Sequence, residues 1–161
     1  MHRLEVMGFG RTADGGAPLL LLRTEEGERV LPIGIGPIEL TAIVARLAGT
    51  EFPRPMTHDL LTRIVRETGA EVSRVEITEL RDDAFIAAIT LATGAREVDV
   101  DARPSDAIAL ALRTDAPIFA SDAVIADASV LLESIVEDPD AVVDEFRAFL
   151  DEVDPSDFAG S

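Results

Sequence analysis

The stretch Asp101-Ala-Arg-Pro-Ser-Asp-Ala-Ile-Ala-Leu-Ala-Leu-Arg113 constrains this chain more than any other. Pro104 fits the first turn of a helix, where a missing N–H costs nothing. Ser105 and Asp106 stand in or beside that turn, where their oxygens can cap free N–H groups and complement the helix dipole. Ala107 to Leu112 is then apolar without a break. A helix apolar on nearly every side is a buried one, and its alanines make it thin enough to lie close against a sheet. Its head, with Asp101, Arg103, Ser105 and Asp106, must emerge from the core. Charged groups gathered at the end of a buried helix are either a structural clasp or a site.

The rest of the chain supplies the sheet. Residues 3–9 alternate weakly as a first strand. Pro18 to Arg23 and Arg29 to Ile35 are strands joined by Glu25-Glu-Gly-Glu28, and Asp14-Gly-Gly16 marks a turn before them. Pro37 starts a helix to about Leu47, stopped by Gly49. Two prolines keep Glu51 to Met56 extended. Thr57 is expected to cap a helix over about 58–68 with Leu60, Leu61, Ile64 and Val65 on its apolar side. Three strands follow, at 71–80, 84–92 and 96–101. In the last, Val98 and Val100 are expected inward, with Glu97, Asp99 and Asp101 on the other face. After the Pro104 helix come a short strand at 116–120 and a helical turn at 121–126. Asp138-Pro139 signals one more helix, amphipathic through Val142, Val143, Phe146, Phe149, Leu150 and Val153, before a tail from Pro155 to Ser161.

Composition closes off several chemistries. With no cysteine there is neither disulfide nor thiol nucleophile. His2 and His58 are the only histidines, so zinc lacks its preferred ligands. Gly8-Phe-Gly10 and Gly34-Ile-Gly36 lack the further glycine and lysine of nucleotide loops. No apolar run approaches the ~20 residues of a membrane span, and the opening Met1-His-Arg-Leu-Glu-Val has no secretory core, so a cytoplasmic location is expected. Net charge is −17. From Glu133 to Asp157 ten acids face one arginine, −9, which leaves −8 from the other 21 acids and 13 arginines. Bulk electrostatics therefore oppose nucleic acid, and phosphate contact needs a local arginine patch or a divalent cation.

What remains is carboxylate chemistry. Asp59 follows His58 in the first turn of a helix, and Asp99, Asp101 and Asp106 cluster around the Pro104 motif. Oxygen ligands of this kind suit Mg²⁺ or Mn²⁺, which need only one or two protein carboxylates. The same residues also read as helix caps, as partners of Arg103 or as a solvated strand face. Arg54, Arg103 and Arg113 have the planar fork that suits phosphate, or they clasp nearby carboxylates.

Three separated motifs, Leu31-Pro-Ile-Gly-Ile-Gly36, Pro53-Arg-Pro-Met-Thr-His-Asp-Leu60 and Asp101-Ala-Arg-Pro-Ser-Asp-Ala-Ile-Ala-Leu110, resemble in this order the bifunctional nuclease domain family. Ala116-Pro-Ile-Phe119 also fits. The resemblance covers roughly residues 3–126 and implies hydrolysis of DNA and RNA by a compact, homo-oligomeric α+β domain. Residues and resemblance together give a mixed, largely antiparallel sheet with packed helices over 1–126, and an acidic helical extension and tail over 127–161.

Two functions stand at this point. In the first, Asp59 and Asp106, with Asp101, hold Mg²⁺ or Mn²⁺ for phosphodiester hydrolysis. His58 then acts as general base or acid together with Asp59 and Asp106, and Arg54 and Arg103 bind the phosphate; no organic cofactor is expected. In the second, the charged motif is structural and the chain is a non-catalytic oligomeric binding module. Both expect a homo-oligomer, a dimer being favoured, and both leave the acidic C-terminal helix free to recruit a protein.

Overall fold

A computed structural model describes residues 1–12, 16–134 and 139–153 of the chain. The turn at Asp14-Gly15, the Asp138 cap and the tail from Pro155 onward lie outside the described residues. Eight strands form one sheet: β1 (His2–Arg11), β2 (Pro18–Thr24), β3 (Arg29–Gly34), β4 (Glu71–Arg81), β5 (Ala84–Thr93), β6 (Arg96–Ala102), β7 (Ile118–Ala120) and β8 (Val130–Leu131). Their order is β6-β5-β4-β7-β1-β2-β3-β8. Two antiparallel meanders, β1-β2-β3 and β4-β5-β6, thus flank the three-residue β7. That strand runs parallel to β4, with Val75 opposite Ile118, and antiparallel to β1, with Leu4 opposite Ile118. The sheet is mixed and largely antiparallel, and the fold is α+β.

The helices are α1 (Pro37–Leu47), α2 (Thr57–Glu67), α3 (Pro104–Thr114), α4 (Asp122–Ala128) and α5 (Pro139–Glu152). α3 is the buried helix that its composition demands: Ala107, Ile108, Ala109, Leu110 and Ala111 are all at most 1% exposed. It lies against β4 and β5, with α1 and α2 packed beside it. Alternation decides which strand residues meet them. Leu20, Leu22, Leu31, Ile33, Val75, Ile77 and Ile89 join the helices in the main core, while Met7, Leu21, Val30 and Leu132 form a small cluster apart from it. α5 lies alongside β1.

Helix punctuation follows the sequence, with one shift. Gly49 and Gly69 adopt left-handed backbone (φ +69° and +78°) just beyond α1 and α2. Thr57 is the first helical residue of α2 rather than its cap. Met56 takes the cap position, and the Asp59 carboxylate reaches back to accept its N–H at 2.9 Å.

Two expected faces are placed differently, on α2 only in part, since Val65 is buried as expected. On α2, Leu60 and Ile64 are 52% and 51% exposed, and Leu61 is also exposed; the helix presents Thr62 and Val65 to the core. Ion pairs from α2 to α3, described below, hold the helix in that rotation. On β6 the expectation that Val98 and Val100 point inward fails, since they are 50% and 41% exposed. The strand is the outer edge of the sheet, paired on one side only, and no helix among the described residues covers it.

Candidate functional site

The first turns of α1, α2 and α3 converge on one groove of about 460 Å³. Pro37, Ile38 and Glu39 come from α1, Thr57 and His58 from α2, and Arg103 and Asp106 from the head of α3. Each helix start brings N–H groups without intrahelical partners and the positive end of a macrodipole. This meeting is tertiary: α1 follows β3 and α3 follows β6, strands that stand on opposite sides of β7 and run in opposite directions.

His58 and Asp106 are 48 residues apart, and the fold brings them together. His58 Nε2 lies 3.0 Å from Asp106 Oδ1, and the imidazole is only 12% exposed. Arg103 Nε donates to the other oxygen of Asp106 at 2.8 Å, and its Nη1 donates to Glu39 Oε1 at 2.8 Å. The chain Glu39–Arg103–Asp106–His58 therefore links all three helix starts. Burial pushes the Asp106 carboxyl up, but the hydrogen bonds from Arg103 and His58 and the charges of both hold it below the usual carboxylate value. Among the described residues, Nδ1 of His58 has no hydrogen-bond partner.

Asp59 belongs to a separate pairing. Arg113, 7% exposed, donates from Nε to Asp59 Oδ1 at 2.6 Å. Its remaining nitrogens donate to the carbonyls of Ala109 and Ala42. Arg113 thus bolts α3 to α2 and α1, with all three of its side-chain nitrogens engaged in the fold. Burial raises the Asp59 carboxyl as well, and the hydrogen bonds from Arg113 and the Met56 N–H, with the charges of Arg113 and His58, bring it below its ordinary value.

The other sequence candidates stand elsewhere. Asp101 is exposed on β6, opposite Ala88. Asp99 accepts a 2.6 Å hydrogen bond from the buried hydroxyl of Thr90, and Glu97 pairs with Arg74 at 3.3 Å. Arg54 is exposed on the α1–α2 connector and does not line the groove. Asp59, Asp101 and Asp106 do not converge, and among the described residues no group of three or more metal-ligating side chains forms. Both oxygens of Asp59 and both of Asp106 are already engaged. As placed, this set does not fit a metal shared by the three aspartates.

Sequence reasoning missed Glu39. Its signal was an acid in the first turn of a helix started by Pro37, the position that complements the dipole, but nothing local pointed to Arg103, 64 residues on. It also missed the apolar rim of the groove, where Ile38 and Met56 are exposed.

The bifunctional nuclease domain matches residues 20–133, which contain every groove residue named above. An uncharacterized protein of Mycobacterium tuberculosis is 40% identical over 164 residues, covering 98% of each chain. Bifunctional nuclease 1 of Oryza sativa subsp. indica is 31% identical over 103 residues, 62% of this chain and 31% of the rice protein. Bifunctional nuclease 1 of Arabidopsis thaliana is 30% identical over 105 residues, 63% of this chain and 32% of its own length. This chain therefore matches about a third of each of these two plant proteins.

Proposed function

This chain belongs to the bifunctional nuclease domain family, and from that premise we propose that it is a nuclease, hydrolysing phosphodiester bonds of DNA or RNA in the groove at the three helix starts. The observation that carries this reading is the 3.0 Å contact between His58 Nε2 and Asp106 Oδ1. An ionised aspartate only accepts hydrogen bonds, so Asp106 fixes the histidine proton on Nε2. Nδ1 is then left with its lone pair to take a proton from an attacking water, the task of a general base. The scissile phosphate is drawn by Arg103 and by the N–H groups of the helix starts, which offset the negative charge that builds during transfer.

Metal assistance enters this proposal only from outside the aspartates. Asp59, Asp101 and Asp106 form no common cluster among the described residues, and Asp106 is occupied in orienting His58 and pairing with Arg103, so hydrolysis here rests on no ion shared by the three. The test incubates purified protein with labelled single-stranded DNA and RNA, with Mg²⁺ and with chelator. Cleavage that falls at least about 100-fold in Asp106→Asn supports the role of a base-orienting carboxylate. Cleavage by that variant at the parent's rate overturns the site.

A second reading is favoured by one feature, the closure of the charged network on itself. Glu39, Arg103 and Asp106 satisfy one another across α1 and α3, as a structural clasp would. The chain is then a non-catalytic binding module that self-associates through the exposed Leu60, Leu61 and Ile64 of α2, with the acidic α5 open to a protein partner. No helix among the described residues is long and apolar enough to cross a membrane. This reading predicts no cleavage of either nucleic acid under any metal condition.

A further inference from the structure

A second hollow lies beside the groove, across a wall that both share through Phe52 and Arg113. It is an open cleft of about 460 Å³ between the end of α1, the α1–α2 connector and the flank of α2. Four of the chain's 14 arginines line it, Arg46, Arg63, Arg66 and Arg113, against two carboxylates, Glu51 and Asp59. The lining is formally +2 in a chain of −17.

The rotation of α2 produces this cleft. Asp59, Thr62, Arg63 and Arg66 recur at i, i+3, i+4 and i+7, which is one stripe of a helix. Asp59 is taken by Arg113. Arg63 and Arg66 are exposed, and among the described residues neither has an ion pair or a side-chain hydrogen bond. Arg46 holds the Leu112 carbonyl with Nε at 2.8 Å and has only the exposed Asp115 near Nη2, at 3.9 Å. The hydroxyl of Thr50, which also lines the cleft, is the one buried side-chain polar atom among the described residues with no partner. Like charges left unpaired on one stripe repel one another, so an anion is what this surface lacks.

We propose that the cleft is a binding track for the sugar–phosphate backbone of a single-stranded nucleic acid, leading past Phe52 to the His58–Asp106 groove. The proposal rests on the nuclease reading for its direction, not for its binding chemistry. Planar guanidinium forks match phosphate oxygens. A single strand fits better than a duplex, because a duplex would set many more phosphates against the acidic remainder of the surface.

The experiment measures fluorescence anisotropy of a labelled 12-mer of single-stranded DNA, titrated with the full chain carrying His58→Ala so that cleavage plays no part. Arg63→Ala/Arg66→Ala is compared with Arg81→Ala/Arg96→Ala, which removes the same charge from the β4–β6 end of the sheet. Each arginine withdrawn from a single-strand phosphate takes about 0.7 off the salt slope, so withdrawing two weakens binding about tenfold at ~0.15 M salt. The cleft variant is expected to show both changes and the control neither. Equal binding by the two variants overturns the track, as does an affinity for the 12-mer no better than for inorganic pyrophosphate. Both cleft arginines are exposed on a helix and replaced by its best former, so folding is retained. If Arg63→Ala/Arg66→Ala binds like the control while His58→Ala abolishes cleavage, the track falls and the nuclease reading stands. If the cleft variant loses binding while His58→Ala cleaves like the parent, the track stands and the catalytic assignment falls.

Discussion

Asp106→Asn separates the energetic role of the α3 head from its chemistry. The amide keeps the shape of the carboxylate and removes its charge. Arg103 is exposed, so solvent screens its ion pair with Asp106. His58 is 12% exposed, and its hydrogen bond to a charged acceptor contributes about 1.5 kcal/mol. Losing it, at about 2–4 °C per kcal/mol for a chain of this size, lowers Tm by about 3–6 °C. The pH dependence follows from the lowered carboxyl. A group whose native pKa lies below its unfolded value stabilises fully above the unfolded value, near 3.8, and loses that contribution as pH falls through the native value. Thermal melts by circular dichroism therefore show the full difference at pH 7 and a shrinking one below pH 3.8. Equal melting temperatures at pH 7, or a difference unchanged in acid, would show that the Asp106 charge does not stabilise the head of α3.

Ala109→Leu overpacks α3 where its side chain is fully buried, so it destabilises by about 1–3 kcal/mol in the same melts. Leu60→Ser/Ile64→Ser removes half-exposed apolar groups from α2; if the chain self-associates there, light scattering finds a smaller particle than the parent. Mg²⁺ at millimolar concentration raises Tm by less than about 1 °C, because the oxygens of Asp59 and Asp106 are already engaged; a larger rise that is lost in Asp106→Asn places an ion at the site.

Much of the fold was legible because local patterns were unopposed. The α3 segment has no polar residue between Ala107 and Leu112, so no environment but the core suits it. The hairpins carry turn residues between alternating strands, and the pairings β2–β3 and β4–β5 follow. The rotation of α2 was not legible, because Leu60, Leu61, Ile64 and Val65 form a plausible buried face by periodicity alone. What outweighs that pattern is tertiary: Asp106 and Arg113 on α3 hold His58 and Asp59 toward them. β6 misled for a related reason. Alternation marks two faces but does not say whether a helix covers either.

The candidate site divides along the same line. His58, Arg103 and Asp106 carried enough polar chemistry near helix starts to be singled out, and the fold brings them to one groove. Asp101 sits five residues before Asp106, but it belongs to β6 and takes no part in that cluster. Sequence proximity across a strand-to-helix junction says little about side-chain convergence. Arg63 and Arg66 carry no local signal that sets them apart from a solvated helix face; the α1–α2 connector is what walls them into a cleft.

The most direct test of His58 as the general base is the cleavage rate of His58→Ala on single-stranded DNA and RNA at saturating enzyme, with and without added imidazole. A general base of this kind contributes about 10²–10⁴-fold. With His58 as the base, the folded variant loses activity by that factor and partly recovers it when imidazole is supplied. A rate equal to the parent's would contradict that role.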